Sequence, residues 1–103
     1  MAKKSFSSKA YSVLKKVPKG KVTTYKEIAL ALKTKAYRAV GRAMNKNKNA
    51  PKIPCHRVVK SNGEVGGYIL GTKTKENLLR KEGIKIKNGK VSNFKEVLFK
   101  FNH

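Results

Sequence analysis

Cys55 and His56 place a thiol next to an imidazole in a chain that holds one cysteine and two histidines. Such a pair can act as a nucleophile and its activating base. Pro54 fixes its own φ and restricts Ile53 to extended backbone, so the thiol leaves a stiff bend within Ile53-Pro54-Cys55-His56-Arg57-Val58-Val59. Neighbouring side chains on extended backbone point to opposite faces, so contact needs a local turn or a bridging water. An unperturbed thiol near pKa ~8.5 is only slightly ionised at neutral pH, and a nearby base enlarges the thiolate fraction. A buried, purely structural cysteine is the plainer reading of the same residue. One cysteine excludes an internal disulfide and suits a reducing compartment. With the second histidine at His103, the set is poor for zinc, and no metal or cofactor is expected.

The elements that must position this pair fit within 103 residues, read as one domain over 1–103 and as a monomer. Lys+Arg number 26 against 5 acidic residues, all glutamate, for a net charge of +21. Part of that excess can be ordinary solvated lysine, but self-repulsion on this scale favours a polyanionic partner, nucleic acid. The basic start Met-Ala-Lys-Lys-Ser precedes no apolar run of signal or membrane length, so a cytoplasmic protein without membrane contact is expected.

Phe6, Ala10, Val13, Leu14 and Val17 recur at helical spacing until Pro18-Lys19-Gly20 ends the run. Lys21-Val22-Thr23 reads as a short strand or an extended entry. Thr24 and Glu27 have the spacing of a capping box opening a second helix, with Ile28, Ala29 and Leu32 inward. Tyr25 lies in its first turn, where a surface or half-buried phenol is the plain expectation. Ala36, Ala39, Val40, Ala43 and Met44 form the thin apolar face of a third helix, whose other face carries Arg38, Gly41, Arg42 and Asn45. Two short helices with a basic second face read as a helix-turn-helix. A polar stretch over 45–52 leads to the cysteine. Arg57-Val58-Val59 reads as extended and Ser61-Asn62-Gly63 as a turn. Gly66-Gly67-Tyr68 and Gly71 form a loop that either connects or walls a pocket.

Thr74 to Glu82 predicts a fourth helix with Thr74 as N-cap and Gly83 past its end. Glu82 shares the inward side of Leu78 and Leu79, at a helix end that disfavours its charge, and so needs a partner. A surface pair with a lysine is the alternative. Ile84 to Val91 alternates around Asn88-Gly89, a two-residue hairpin suited to be a wing. Asn93 to Phe101 predicts an extra C-terminal helix presenting Phe94, Val97, Leu98 and Phe101, with Asn93 and Glu96 as a capping box. The fold class expected is mainly α: a small winged helix-turn-helix domain with a short β-hairpin wing.

Arg38-Ala-Val-Gly-Arg-Ala-Met44, Ile53-Pro-Cys-His-Arg-Val-Val59 and Leu78-Leu-Arg-Lys-Glu-Gly83 resemble the catalytic DNA-binding domain of O6-alkylguanine-DNA alkyltransferases, from about Phe6 to Gly83. The resemblance implies single-turnover repair of double-stranded DNA, in which Cys55 takes the alkyl group from a guanine rotated out of the helix. It implies His56 as a water-linked base, Glu82 as the carboxylate orienting it, and Tyr25 as an aid to guanine departure. Arg38 would fill the vacated gap, with Thr24, Ala39, Gly41, Arg42 and Asn45 also on the DNA. Val58, Gly66, Tyr68 and Ile69 would line the guanine pocket, and Asn47 would tie the helix-turn-helix to the cysteine segment. Compared with full-length relatives, the chain is expected to have no N-terminal domain ahead of the first helix. It also has Ile69-Leu70 where a polar, serine-like residue is expected after Tyr68. Two other readings compete. One is an alkyltransferase-like protein that binds alkylated bases without reacting, but such proteins lack the cysteine. The other is a plain winged-helix module with a structural Cys55. A cysteine protease or a zinc site lacks the residues it needs.

Overall fold

The computed structural model describes residues 6–46, 53–68 and 70–101. Helix α1 (Phe6–Leu14) buries Ala10 and Leu14, as its spacing predicts, but stops three residues before Val17. The chain tightens there: Lys16 and Val17 bond carbonyls three residues back, at 3.0 Å each, before Pro18 removes the next donor. Val17 is buried all the same, so the apolar pattern was right where the helix boundary was not.

Strand β1 (Thr23–Thr24) runs straight into α2 (Tyr25–Ala31). Half of the expected capping box forms, with Thr24 Oγ1 accepting the Glu27 amide at 3.0 Å, while Glu27 Oε1 is buried with no hydrogen-bond partner among the described residues. Helix α3 (Tyr37–Asn45) buries Val40, Ala43 and Met44. Ala36, expected on the apolar face, instead precedes the helix and is exposed. Its own amide is bound by Thr34 Oγ1 at 3.1 Å. Strand β2 (Val58–Val59) pairs parallel with β1, Thr23 opposite Val58 and Thr24 opposite Val59.

That two-residue ladder divides the core. Alternate residues of a strand face opposite sides, so Val58 joins the cluster built by α1, α2 and α3 while Val59 joins a second one. The second cluster holds Val22, Val65, Leu79, Ile84, Val91 and Val97. Helix α4 (Thr72–Lys81) supplies Leu79 to it. This helix opens two residues earlier than the predicted Thr74 cap, because Gly71 at φ 98° turns the chain into it and accepts the Lys75 amide at 3.1 Å. Gly83, past its end, has φ 91°, the left-handed conformation that glycine takes without steric cost.

The hairpin is found where Asn88-Gly89 predicts it, as β3 (Ile86–Lys87) and β4 (Lys90–Val91). Both turn residues have positive φ, 53° and 75°, as a type I′ turn requires. It docks on the 63–65 segment through Val65 N to Gly89 O and Val91 N to Gly63 O, both 2.9 Å.

The expected C-terminal helix is the main correction. Helix α5 is a single turn, Phe94–Val97, and Asn93 makes no side-chain cap. Leu98 then turns extended, and the chain pairs with Val22: Val22 N donates to Val97 O at 2.9 Å and Phe99 N to Val22 O at 2.6 Å. Free backbone groups at the edge of β1 outcompete a helix that would be only nine residues long. Val97, in the turn, joins the second cluster, while Phe99 and Phe101, two apart on the extended chain, share a face and both meet the first.

Candidate active site

Cys55, His56 and Arg57 lie on one turn of 3-10 helix, the local turn that the pair called for, with Arg57 in it and not in the extended piece expected for it. Pro54, at φ −80°, precedes the turn, whose first bond runs from Arg57 N to Pro54 O at 2.9 Å. The tight turn overcomes the opposed directions that an extended pair would have. Cys55 is 2 % exposed and His56 equally buried, so both work away from bulk water.

Glu82 closes the site from the end of α4. His56 Nε2 meets Glu82 Oε2 at 3.1 Å, and Arg57 donates from Nε to Oε1 at 2.9 Å and from Nη2 to Oε2 at 2.7 Å. Arg57 also donates from Nη1 to Val17 O at 2.8 Å, fastening the turn to the end of α1. Burial pushes the Glu82 carboxyl up, but hydrogen bonds from Arg57 and His56 outweigh it and hold the group below its ordinary range. The His56 imidazole is shifted down, first by burial and then by the charges of Arg57 and Lys75, against the pull of Glu82. It rests neutral. Its Nδ1 is buried and has no hydrogen-bond partner among the described residues.

Three phenols surround the thiol. Tyr68, Tyr25 and Tyr11 all have their ionisation raised, first by burial and then by proximity to Cys55. All three remain neutral and able to donate. Tyr25 is half-buried, within the expectation for it, and its ring packs on the cluster that contains Cys55. Tyr68 meets His56 edge to face at 6.4 Å. Tyr11 donates to Ala43 O, tying α1 to α3.

The remaining expected residues divide by exposure. Arg38, Arg42 and Asn45 are exposed on α3, and Ala39 and Gly41 are half-buried. A Cβ built on Gly41 would meet nothing within 4 Å, so packing inside the chain does not require glycine there. Thr24 is buried with its hydroxyl committed to α2, so its side chain sets the helix start and does not reach outward. Val58 is buried in the Cys55 cluster and Tyr68 packs against it, while Gly66 is half-buried at φ 77°. Asn47 and Ile69 lie outside the described residues. Among the described residues no group of three or more His, Cys, Asp or Glu could hold a metal, and no helix is long and apolar enough to cross a membrane.

The family model for the DNA-binding domain of 6-O-methylguanine DNA methyltransferase matches residues 5–84. The chain belongs to this family. It is 47% identical over 87 residues to a methylated-DNA–protein-cysteine methyltransferase of Candida glabrata, covering 84% of this chain and 42% of that one. The O6-methylguanine-DNA methyltransferase of Pyrococcus kodakaraensis superposes with a TM-score of 0.73 at 44% identity, over 79% of this chain and 47% of that one. S. pombe Atl1, solved with damaged DNA containing O6-carboxymethylguanine, superposes with a TM-score of 0.84 at 31% identity, over 97% of this chain and 99% of that one. The curated relatives are longer proteins: this chain spans 28% to 52% of those it matches.

Two residues of this family member went unmarked in the sequence. Arg57 stood within the Pro-Cys-His-Arg segment, but nothing local shows that it reaches Glu82. Lys75 is 0% exposed and the largest fully buried side chain. Its signal was present, since Lys75 precedes Leu79 by four positions and Glu82 by seven, one face of a helix. A lysine on that face reads as an edge residue until the fold closes over it.

Proposed function

We propose that this chain repairs DNA by moving the alkyl group of an O6-alkylguanine irreversibly to Cys55, once per molecule. The observation that carries the reading is the joining of His56 to Glu82 on the turn that holds the thiol, with Nδ1 left over as base. In this scheme a water relays the Cys55 proton to His56 Nδ1. The thiolate attacks the alkyl carbon, the carbon–O6 bond breaks, and the electron pair stays on guanine, which takes a proton with help from the neutral Tyr25 phenol. The thioether product is stable, and no other cysteine exists to reverse it.

The DNA-facing part is a winged helix-turn-helix: α2 and α3 present Arg38, Ala39, Gly41, Arg42 and Asn45, and β3–β4 is the wing. Arg38 fills the gap left by the rotated guanine, and the open face at Gly41 lets the backbone approach closely. Extrusion costs a few kcal/mol and least for a weakly paired lesion, which biases the protein towards damage. Residues 1–103 act as one domain, with Val58, Gly66, Tyr68 and Ile69 around the base and Asn47 linking α3 to the cysteine segment.

A second reading is recognition of alkylated DNA without transfer, which the end-to-end superposition on Atl1 favours. One experiment separates the two. Intact-mass measurement after mixing with O6-methylguanine duplex should show a single added methyl on Cys55, followed by loss of activity. Tight binding with no mass change would leave recognition alone, and methylation of Cys55→Ala would overturn the assignment of the acceptor.

A further inference from the structure

Tyr37 is the one tyrosine that stands apart from the thiol. The other three pack on the cluster that contains Cys55, whereas Tyr37 is 42% exposed as the first residue of α3. A single exposed ring is ordinary on a protein surface, but the neighbours of this one are not. Gly41 and Asn45 follow it at i+4 and i+8 along one side of the helix. The exposed Arg38 and Arg42 lie beside them, while Val40, Ala43 and Met44 turn into the core. The ring is an apolar plate on a basic ridge, and the ridge belongs to a DNA-binding domain.

Nothing inside the chain accounts for a tyrosine at this position. Its side chain joins neither core cluster, and no aromatic ring pairs with it among the described residues. Gly41 offers it no side chain on the next turn, so the i, i+4 contact that steadies a surface ring is missing. Alanine would favour the helix more. The backbone beneath the ring is nevertheless fixed. Tyr37 N donates to Lys35 O at 2.9 Å and Ala36 N to Thr34 Oγ1 at 3.1 Å, so the link from α2 holds the start of α3 in place.

We infer that Tyr37 is a further DNA contact, whose ring packs on the nucleotide flanking the extruded guanine, next to the Arg38 guanidinium. The inference rests on the proposed placing of α3 on DNA. Consecutive Cα atoms are about 3.8 Å apart, close to the spacing of about 3.4 Å between nucleotides of one strand. Neighbouring residues at the start of α3 therefore reach neighbouring nucleotides. Arg38 brings charge, and Tyr37 brings a flat apolar surface that accepts any base. Extrusion bares part of the flanking nucleotide, and a ring against it offsets some of the lost stacking. Gly41, where even a Cβ would meet nothing within 4 Å, leaves room for DNA to lie close beside the ring.

The chain has no tryptophan, so Tyr37→Trp installs a single reporter at this point. Binding is measured in the Cys55→Ala background, where transfer does not intervene. Emission of the reporter should be quenched as O6-methylguanine duplex is titrated in, and acrylamide should then reach it less. Tyr37→Ala should weaken duplex binding about tenfold, as for the loss of one stacked base. The loss should be the same at about 50 and 200 mM salt, because stacking releases no counterion. Tyr37→Phe, which keeps the ring, should restore binding. Emission unmoved by saturating duplex, or Tyr37→Ala binding as tightly as Tyr37 itself, overturns the inference and leaves the proposed function standing. A loss confined to low salt, or shared in full by Tyr37→Phe, also overturns it. If neither the native chain nor its Cys55→Ala form binds duplex, both readings fall.

Discussion

Arg57 holds the Glu82 carboxylate with two nitrogens of its guanidinium, at 2.9 and 2.7 Å, and so shares with His56 the charge that was expected to serve His56 alone. The carboxylate therefore does two jobs. It orients the imidazole through Nε2, and it locks the end of α4 to the turn that carries the thiol.

Glu82→Gln should consequently lower both rate and stability. The substitution leaves Arg57, itself largely buried, without its partner, and breaking a buried ion pair costs up to about 3–5 kcal/mol. His56→Ala removes the proposed base but leaves the Arg57–Glu82 pair intact, so alkyl transfer should fall as far with a smaller loss of melting temperature. The double variant should be little slower than either single one, because the two act as a unit. Additive rate losses in single-turnover kinetics would show that they act separately.

Acid should destabilise the fold through His56 first. Its folded proton affinity lies below the unfolded value, so the unfolded chain takes up a proton as pH falls through 6.5 while the folded one does not. Stability present above that pH is lost as it falls. Glu82, also shifted down, adds a second loss below 4.5, its unfolded value. Melting temperatures between neutrality and mild acid should drop, and His56→Asn should flatten the upper part of that drop. An unchanged slope in the variant would remove His56 as its source.

DNA binding should weaken steeply with salt, given a net charge of +21. If about five phosphates are neutralised, affinity should fall roughly 10²–10³-fold between about 50 and 200 mM salt. Arg38→Ala should slow reaction with duplex DNA more than reaction with free O6-benzylguanine, since only a duplex has a gap to fill. Equal losses on both substrates would place Arg38 elsewhere.

The C-terminal segment should be needed for stability although it is not a helix. Phe101→Ala empties a buried position of the cysteine cluster and should cost about 3–5 kcal/mol. Truncation after Ser92 should cost more, because it also strips Val97 and both backbone bonds to Val22. A melting curve unmoved by either change would make the segment dispensable.

Much was legible in the one-dimensional pattern. The apolar faces of α1 and α3, the Thr24 cap, the Asn88-Gly89 turn and the inward Glu82 each depend on residues within a few positions of one another, where local geometry decides. What the sequence could not state was who meets whom. The parallel pairing of β1 with β2, residues 23 and 58 face to face, comes from distant chain segments and splits the core in two. The same kind of long-range pairing cuts the tail from the helix its spacing suggested to one turn and an extended bridge beside Val22. It takes tertiary closure to set the Tyr25 ring on the cysteine cluster, to give Glu82 two partners and to bury Lys75. Each of these outcomes is fixed by desolvation and by competition for hydrogen bonds among groups far apart in the chain, and neither quantity exists until the chain has folded.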